Sequence, residues 1–318
     1  MSRAVNGGSK VRAAAQRAVD DAVRELGYTP NLAARSLVTR RTDSIAVVVP
    51  ESHSMVFSDP FFAGTLHGVA RALAPTGLQM VLLIRQRDEG VERMVRYLRG
   101  GHTDGAVVVS HHQGDGLVEA MGQMDIPHVF IGRPWNSSAA TPFVDVDNVA
   151  GGRVAVERLL ARGCRRIGTV TGPQDMSAGA DRLGGGREGG GGAGRPDDAV
   201  GEGDFTRAGG RAATTALLDA HPDLDGLFVA SDVMALGALD ALAAAGRRVP
   251  DDVAVVGFDD FALAQETTPP LTTVVNPVAA MAHGAVDLLL EQLAGRRDGT
   301  ATARSQVFDA ELVVRDSA

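Results

Sequence analysis

GLFVASDVMALGALDALAAAGRRVPDDVAVVGFDD, residues 226–260, is the stretch from which the rest of the chain can be read. It holds two short apolar runs, GLFVA (226–230) and VAVVGF (253–258), and a segment between them, 232–244, with the length and apolar content of a helix. Strands that are apolar throughout, and not only at alternate positions, are covered on both faces. Two such strands joined by a helix run parallel, and a chain built from this unit forms a doubly wound α/β sheet.

The alternation extends in both directions. IAVVV (45–49) is followed by a helix from about Phe61 to Leu73. MVLLI (80–84) is followed by a helix over 89–98, and GAVVVS (105–110) by one over 115–123, before HVFI (128–131). A second series opens with a helix over about 149–161 and continues through RIGTV (166–170) into the opening stretch. Two series predict two lobes. TTVVN (272–276), a long helix over 278–293 and two short terminal strands exceed what the second lobe needs, so the chain is expected to cross back between lobes. The expected division is lobe 1 over about 43–145 plus 276–304, and lobe 2 over about 146–275 plus 305–318.

GGGREGGGGAG (184–194) interrupts the pattern, with eight glycines where the alternation demands a crossover helix. It is no phosphate loop, because no Gly-Lys-Ser/Thr follows. Each glycine in a helix costs roughly 0.5–1 kcal/mol relative to alanine, so a weak spot is expected there.

With 318 residues, 44% of them hydrophobic, the chain has material for two cores. No apolar run approaches the roughly 18 residues of a membrane span. The opening MSRAVNGGSK has no apolar core of a secretory leader, and the single cysteine, Cys164, allows no internal disulfide. The expectation is a cytoplasmic protein without cofactor. Residues 1–42 carry eight basic side chains (Arg3, Lys10, Arg12, Arg17, Arg24, Arg35, Arg40, Arg41) against Asp20, Asp21 and Glu25. That net of +5 leaves −13 on the remainder of a chain whose total is −8. A basic arm on an acidic body fits an element that touches nucleic acid. Within the arm, 9–27 has helical spacing with Ser9 at its start and Gly27 at its stop, and Thr29–Pro30 can open a second short helix through Leu37.

The arm strongly resembles the headpiece of the LacI/GalR family of transcription regulators. Ser2-Arg3, Asn6-Gly7, Glu25-Leu26-Gly27-Tyr28, Pro30-Asn31 and Ala33-Ala34-Arg35-Ser36-Leu37 carry the likeness. It continues through Asp59-Pro60-Phe61-Phe62, Ile131-Gly132-Arg133-Pro134, Val146-Asp147-Asn148, Asp181-Arg182-Leu183, Gly203-Asp204-Phe205, Ser231-Asp232 and Val256-Gly257-Phe258-Asp259-Asp260. The order of these motifs along the whole chain is what makes the resemblance specific. It implies a homodimer with a periplasmic-binding-protein-like body that senses a small molecule, and a helix-turn-helix headpiece and hinge helix within 1–42 that bind operator DNA. Met1 would fall inside the recognition helix, so the headpiece is expected to be incomplete and operator binding impaired in the chain as given. Ser2, Arg3 and Asn6 match recognition-helix positions, Leu37 matches the wedge that the family inserts into the minor groove, and Ala34 and Arg35 lie beside it.

Open α/β sheets bind ligands beyond the carboxyl ends of their strands. Phe61, Phe62, Arg133, Arg182 and Phe205 lie there, as do Ser231, Asp232 and Asp259, and all match family positions that line the effector site. Asn276 occupies a crossover where the family often has a longer amide. Carboxylates accept from neighbouring sugar hydroxyls, guanidinium groups donate to them, and aromatic faces cover the ring, so the expected effector is a sugar or polyol. His111-His112 suggests a metal, but adjacent residues at a strand end diverge and no third ligand stands nearby. No nucleophile with its base emerges, so the expectation is a regulator, a repressor in type, and not an enzyme. The alternatives are a solute-binding protein and a sensor that no longer binds DNA.

Overall fold

The computed structural model describes residues 41–85, 90–135, 141–191, 199–298 and 304–318, together with Ala14, Arg17, Ala18, Asp21, Ala22 and Glu25. Those six positions are helical, as the spacing over 9–27 requires. The DNA-facing candidates Ser2, Arg3, Asn6, Ala34, Arg35 and Leu37 lie outside the described residues, as does 192–198.

The apolar runs become two six-stranded sheets. The first is ordered β2 (Gln79–Ile84), β1 (Ser44–Val49), β3 (Gly105–Val109), β4 (His128–Ile131), β5 (Phe143–Val146) and β11 (Gln306–Phe308), and every pairing in it is parallel. The second repeats the plan with β7 (Val200–Glu202), β6 (Ile167–Thr171), β8 (Gly226–Val229), β9 (Ala254–Asp259), β10 (Thr272–Val275) and β12 (Leu312–Val313), of which only β12 is antiparallel. Both follow a doubly wound order, with a topological switch point where the strand order reverses.

Alternation divides each strand between two cores. In β1, Ala46 and Val48 pack with Met94, Leu98, Leu117 and Phe130 beneath α3 (Glu92–Arg99) and α4 (Leu117–Gly122). Ile45, Val47 and Val49 face the opposite layer, against α2 (Pro60–Leu73) and α10 (Val278–Asp298). That layer runs on into the second lobe through Phe228, Val256 and Phe258 under α5 (Asn148–Arg162) and α6 (Ser177–Gly191). The far face of the second sheet packs Leu227, Val229 and Val255 against α7 (Arg207–Ala220) and α8 (Asp232–Ala244). Two short helices, α1 (His53–Ser58) and α9 (Ala262–Glu266), flank the strand ends of the first and second lobe respectively. Side-chain caps start the helices that matter to the site: Asp59 accepts from the Phe61 N–H at α2, with Pro60 in the first turn, and Ser231 accepts from the Met234 N–H at α8.

Three expectations are corrected. The strands β5 and β7 were not apparent in the pattern, because FVDV and VGE are short and partly polar. The tail does not return to the second lobe at 305. Gln306, Val307 and Phe308 pair in parallel with Val144, Asp145 and Val146 of the first sheet, so the last crossing follows β11. The third concerns the glycine run, whose described part, 184–191, is helical and completes α6. A helix forms here although glycine disfavours it. Helices α5 and α6 approach so closely that a Cβ on Gly185 would lie 1.9 Å from the Val149 carbonyl oxygen, and one on Gly152 would lie 2.1 Å from that of Arg182.

Candidate functional site

Because all strands except β12 run parallel within their sheets, their carboxyl ends gather on one side, and the two sheets turn these sides toward each other. They enclose a cavity of about 280 Å³. Phe61 and Phe62 enter it from the start of α2, Arg182 from α6, Phe205 from beyond β7, and Ser231 and Asp259 from the ends of β8 and β9, with Asn276 on the crossing segment. The volume lies near the lower end of the roughly 300–1,000 Å³ of small-molecule pockets.

Arg182 organises the second-lobe wall. Its side chain is buried, with 5% of its surface exposed, and its guanidinium lies 3.6 Å from the centroid of the Phe258 ring. Nε donates to Asn148 Oδ1 at 2.8 Å, and Nη1 donates to the Ala230 carbonyl at 2.6 Å and to Asp259 Oδ1 at 3.5 Å. Asp259 also accepts from Asn276 Nδ2 at 3.1 Å. Burial pushes the Asp259 carboxyl up to about 6, opposed by the charge of Arg182 and the Asn276 hydrogen bond. Asp59, across the cavity, is also raised, first by burial, and is held back by the Phe61 N–H and by Arg182.

Three residues at the cavity wall hold backbone angles that side chains ordinarily avoid: Ser110 at φ 55°, Phe205 at φ 62° and Asp259 at φ 119°. Each such conformation costs on the order of 1–3 kcal/mol and persists where surrounding structure enforces it, most often at binding sites. The Phe205 ring in turn depends on Gly172, since a Cβ there would lie 2.2 Å from the ring.

Two of the expected residues do not reach the cavity. Arg133 donates through Nη2 to both oxygens of Asp181, at 2.8 and 2.7 Å, and so ties the first lobe to α6 of the second. Asp232 is fully buried, accepting from Thr273 Oγ1 at 2.6 Å and from the Phe261 N–H at 2.9 Å, and it holds the segment after β9 in place. Desolvation, then the charge of Asp259, raises its pKa well above the usual carboxylate range.

Other wall residues were missed: Glu51, Asp59, Ser110, His111, His112 and Asp204. Glu51, Ser110, His111, His112 and Asp204 lie within three residues of a strand end, which was the available signal, whereas Asp59 sits at the cap of α2. The two histidines diverge as adjacent strand-end residues should. His112 Nε2 lies 2.8 Å from Glu51 Oε1 and Nδ1 lies 2.8 Å from Asp175 Oδ2. Among the described residues no group of three or more His, Cys, Asp or Glu is arranged to hold a metal.

Asp175 belongs to the second lobe, so His112 clasps the cleft. The Asp175 carbonyl accepts from the Gln113 N–H at 2.7 Å and from Trp135 Nε1 at 2.6 Å, both from the first lobe. The hydrogen bond to Glu51 raises the His112 pKa most, burial opposes it, and the Glu51 charge and Asp175 add to the rise, to about 9. A histidine whose folded pKa exceeds its unfolded value of 6.5 stabilises fully below 6.5 and ceases to do so as pH rises through 9. Thermal unfolding of the wild type should therefore lose stability across that window relative to His112→Gln. Asp175→Asn should lower the His112 pKa seen by NMR, and an unchanged value would remove Asp175 from the clasp.

The periplasmic binding protein-like domain family matches residues 156–318. The chain is 44% identical over 320 residues to the HTH-type transcriptional regulator CelR of Thermobifida fusca, covering 100% of this chain and 93% of that protein. It belongs to the LacI family of transcriptional regulators. Among solved structures, a complex of the transcriptional regulator CelR with cellobiose superposes with a TM-score of 0.83 at 42% identity, covering 100% of this chain and 94% of that one. The lac repressor dimer bound to operator and the anti-inducer ONPF also gives 0.83, at 27% identity, covering 99% and 93%. In this LacI-family regulator, no helix of the described residues is long and apolar enough to cross a membrane.

Proposed function

We propose that this regulator is a homodimeric, non-enzymatic repressor of the cytoplasm that binds operator DNA and senses an uncharged carbohydrate of the cellobiose type in the interlobe cavity. The observation that carries the reading is the buried Arg182–Asp259–Asn276 cluster facing Phe61, Phe62 and Phe205. It combines a donor fork, a carboxylate acceptor and flat apolar faces, the set that a pyranose with adjacent hydroxyls satisfies. Wall carboxylates (Glu51, Asp59, Asp204, Asp259) outnumber wall cations (Arg182, His112). A phosphorylated sugar would bring its charge against that excess, so the neutral sugar is favoured. The solved CelR–cellobiose complex supports the same class of ligand.

Operator and effector are coupled if they prefer different lobe arrangements, and each then weakens the other. Calorimetry with cellobiose, glucose, maltose and cellobiose 6-phosphate tests the sensing arm. Cellobiose should give a saturable heat and the phosphate should not. Mobility shifts on DNA from upstream of the regulator's own gene, with and without cellobiose, test the coupling. No saturable heat with any neutral sugar, or tighter binding of the phosphate, would overturn the reading.

A further inference from the structure

One side chain on the cavity wall has ring nitrogens that close no hydrogen bond, although the backbone of Arg133 lies near enough to act on them. His111 follows the strained Ser110 at the end of β3 and is 4% exposed. Its ring meets Phe130 edge-on, with centroids 5.3 Å apart, yet neither Nδ1 nor Nε2 makes a hydrogen bond. Buried polar groups are partnered in the great majority of cases, and one left without a partner costs more than an apolar group of the same shape. An apolar ring would therefore serve the packing against Phe130 better. A second atom shares the condition: Asn276 Oδ1 is buried on the same wall without a partner, while its Nδ2 is committed to Asp259.

We propose that His111 determines effector specificity: its imidazole exchanges a hydrogen bond with one hydroxyl of the ligand, while Asn276 Oδ1 accepts from another. This rests on the reading of the cavity as a carbohydrate site. A neutral imidazole offers one donor and one acceptor, and a hydroxyl answers either. Burial holds the His111 pKa below its usual value, so the ring is neutral when it meets the ligand. A site that hydrogen-bonds a hydroxyl discriminates strongly against the analogue that lacks it, because its own polar atoms then stay unpaired.

The test compares wild type, His111→Phe and His111→Asn, using cellobiose and its monodeoxy analogues in calorimetry and thermal unfolding without ligand. In H111F the cellobiose affinity falls tenfold or more. The ligand-free unfolding temperature rises by about 2–4 °C, because two orphaned atoms have been removed. H111N, which keeps one donor and one acceptor, retains more affinity than H111F. One monodeoxy analogue binds wild type weakly, and in H111F it binds as well as cellobiose. Unchanged cellobiose affinity in H111F, or a lowered unfolding temperature with no change in the deoxy preferences, would show that the ring is core packing and overturn the proposal. If wild type binds no carbohydrate, the carbohydrate reading fails separately. In that case a fall in the unfolding temperature of H111F still overturns the ligand role of His111.

Discussion

Arg182→Met is expected to abolish effector binding and to cost the ligand-free regulator about 3–5 kcal/mol of stability. The loss of stability follows from the burial of the side chain. The guanidinium sits among Asn148, the Ala230 carbonyl, Asp259 and the Phe258 face, out of reach of bulk water. Without it, Asp259 keeps a buried carboxylate answered only by neutral donors, the Asn276 amide and the Asp232 backbone. Asp145, raised to about 6 chiefly by burial, loses a neighbouring cation as well. Removing one partner of a buried pair is costly, whereas removing both charges can be nearly neutral. The double variant R182M/D259N should therefore recover much of the stability and none of the binding. Denaturant unfolding and cellobiose calorimetry on the three proteins read both quantities. An R182M protein as stable as wild type would mean that the ion pair is not what holds this wall.

Gly185→Ala is the second large effect. The added methyl would lie 1.9 Å from the Val149 carbonyl oxygen, a backbone atom that cannot rotate aside. Helices α5 and α6 would have to separate, at a cost of about 1–3 kcal/mol, or more because backbone must shift. Gly184 is the control. Nothing lies within 4 Å of a Cβ there, so alanine should stabilise by roughly 0.5–1 kcal/mol through helix propensity alone. Opposite signs at neighbouring positions, measured by chemical denaturation, would establish close packing. Stabilisation by both substitutions would show that the crossing is looser.

The contrast shows where sequence reasoning reaches. The glycine run was legible as a departure, because propensity is a local property. Its accommodation was not, because Val149 and Gly185 are brought together only by the crossing of two helices. The strands of both sheets were legible where, as in IAVVV and VAVVGF, burial on both faces leaves no polar position. Edge strands such as β7 and β11 bury too little to leave such a record. At the cavity, strand-end position located Phe205, Arg182 and Asp259. It could not separate them from Arg133 and Asp232, because the direction of a long side chain past a strand end depends on partners from distant segments, here Asp181 and Thr273. His112, weighed only as a metal ligand, was not placed in the cleft for the same reason: Glu51 and Asp175 come from different lobes.

The contact between Trp135 and the Asp175 carbonyl has a practical consequence. Trp135 is the single tryptophan of the chain, and its indole N–H is bound to the opposite lobe. Indole emission responds to the loss of such a hydrogen bond and to the water that replaces it. The regulator thus carries its own optical gauge of cleft opening, and lobe separation in this protein can be followed in real time, without a label, by intrinsic fluorescence.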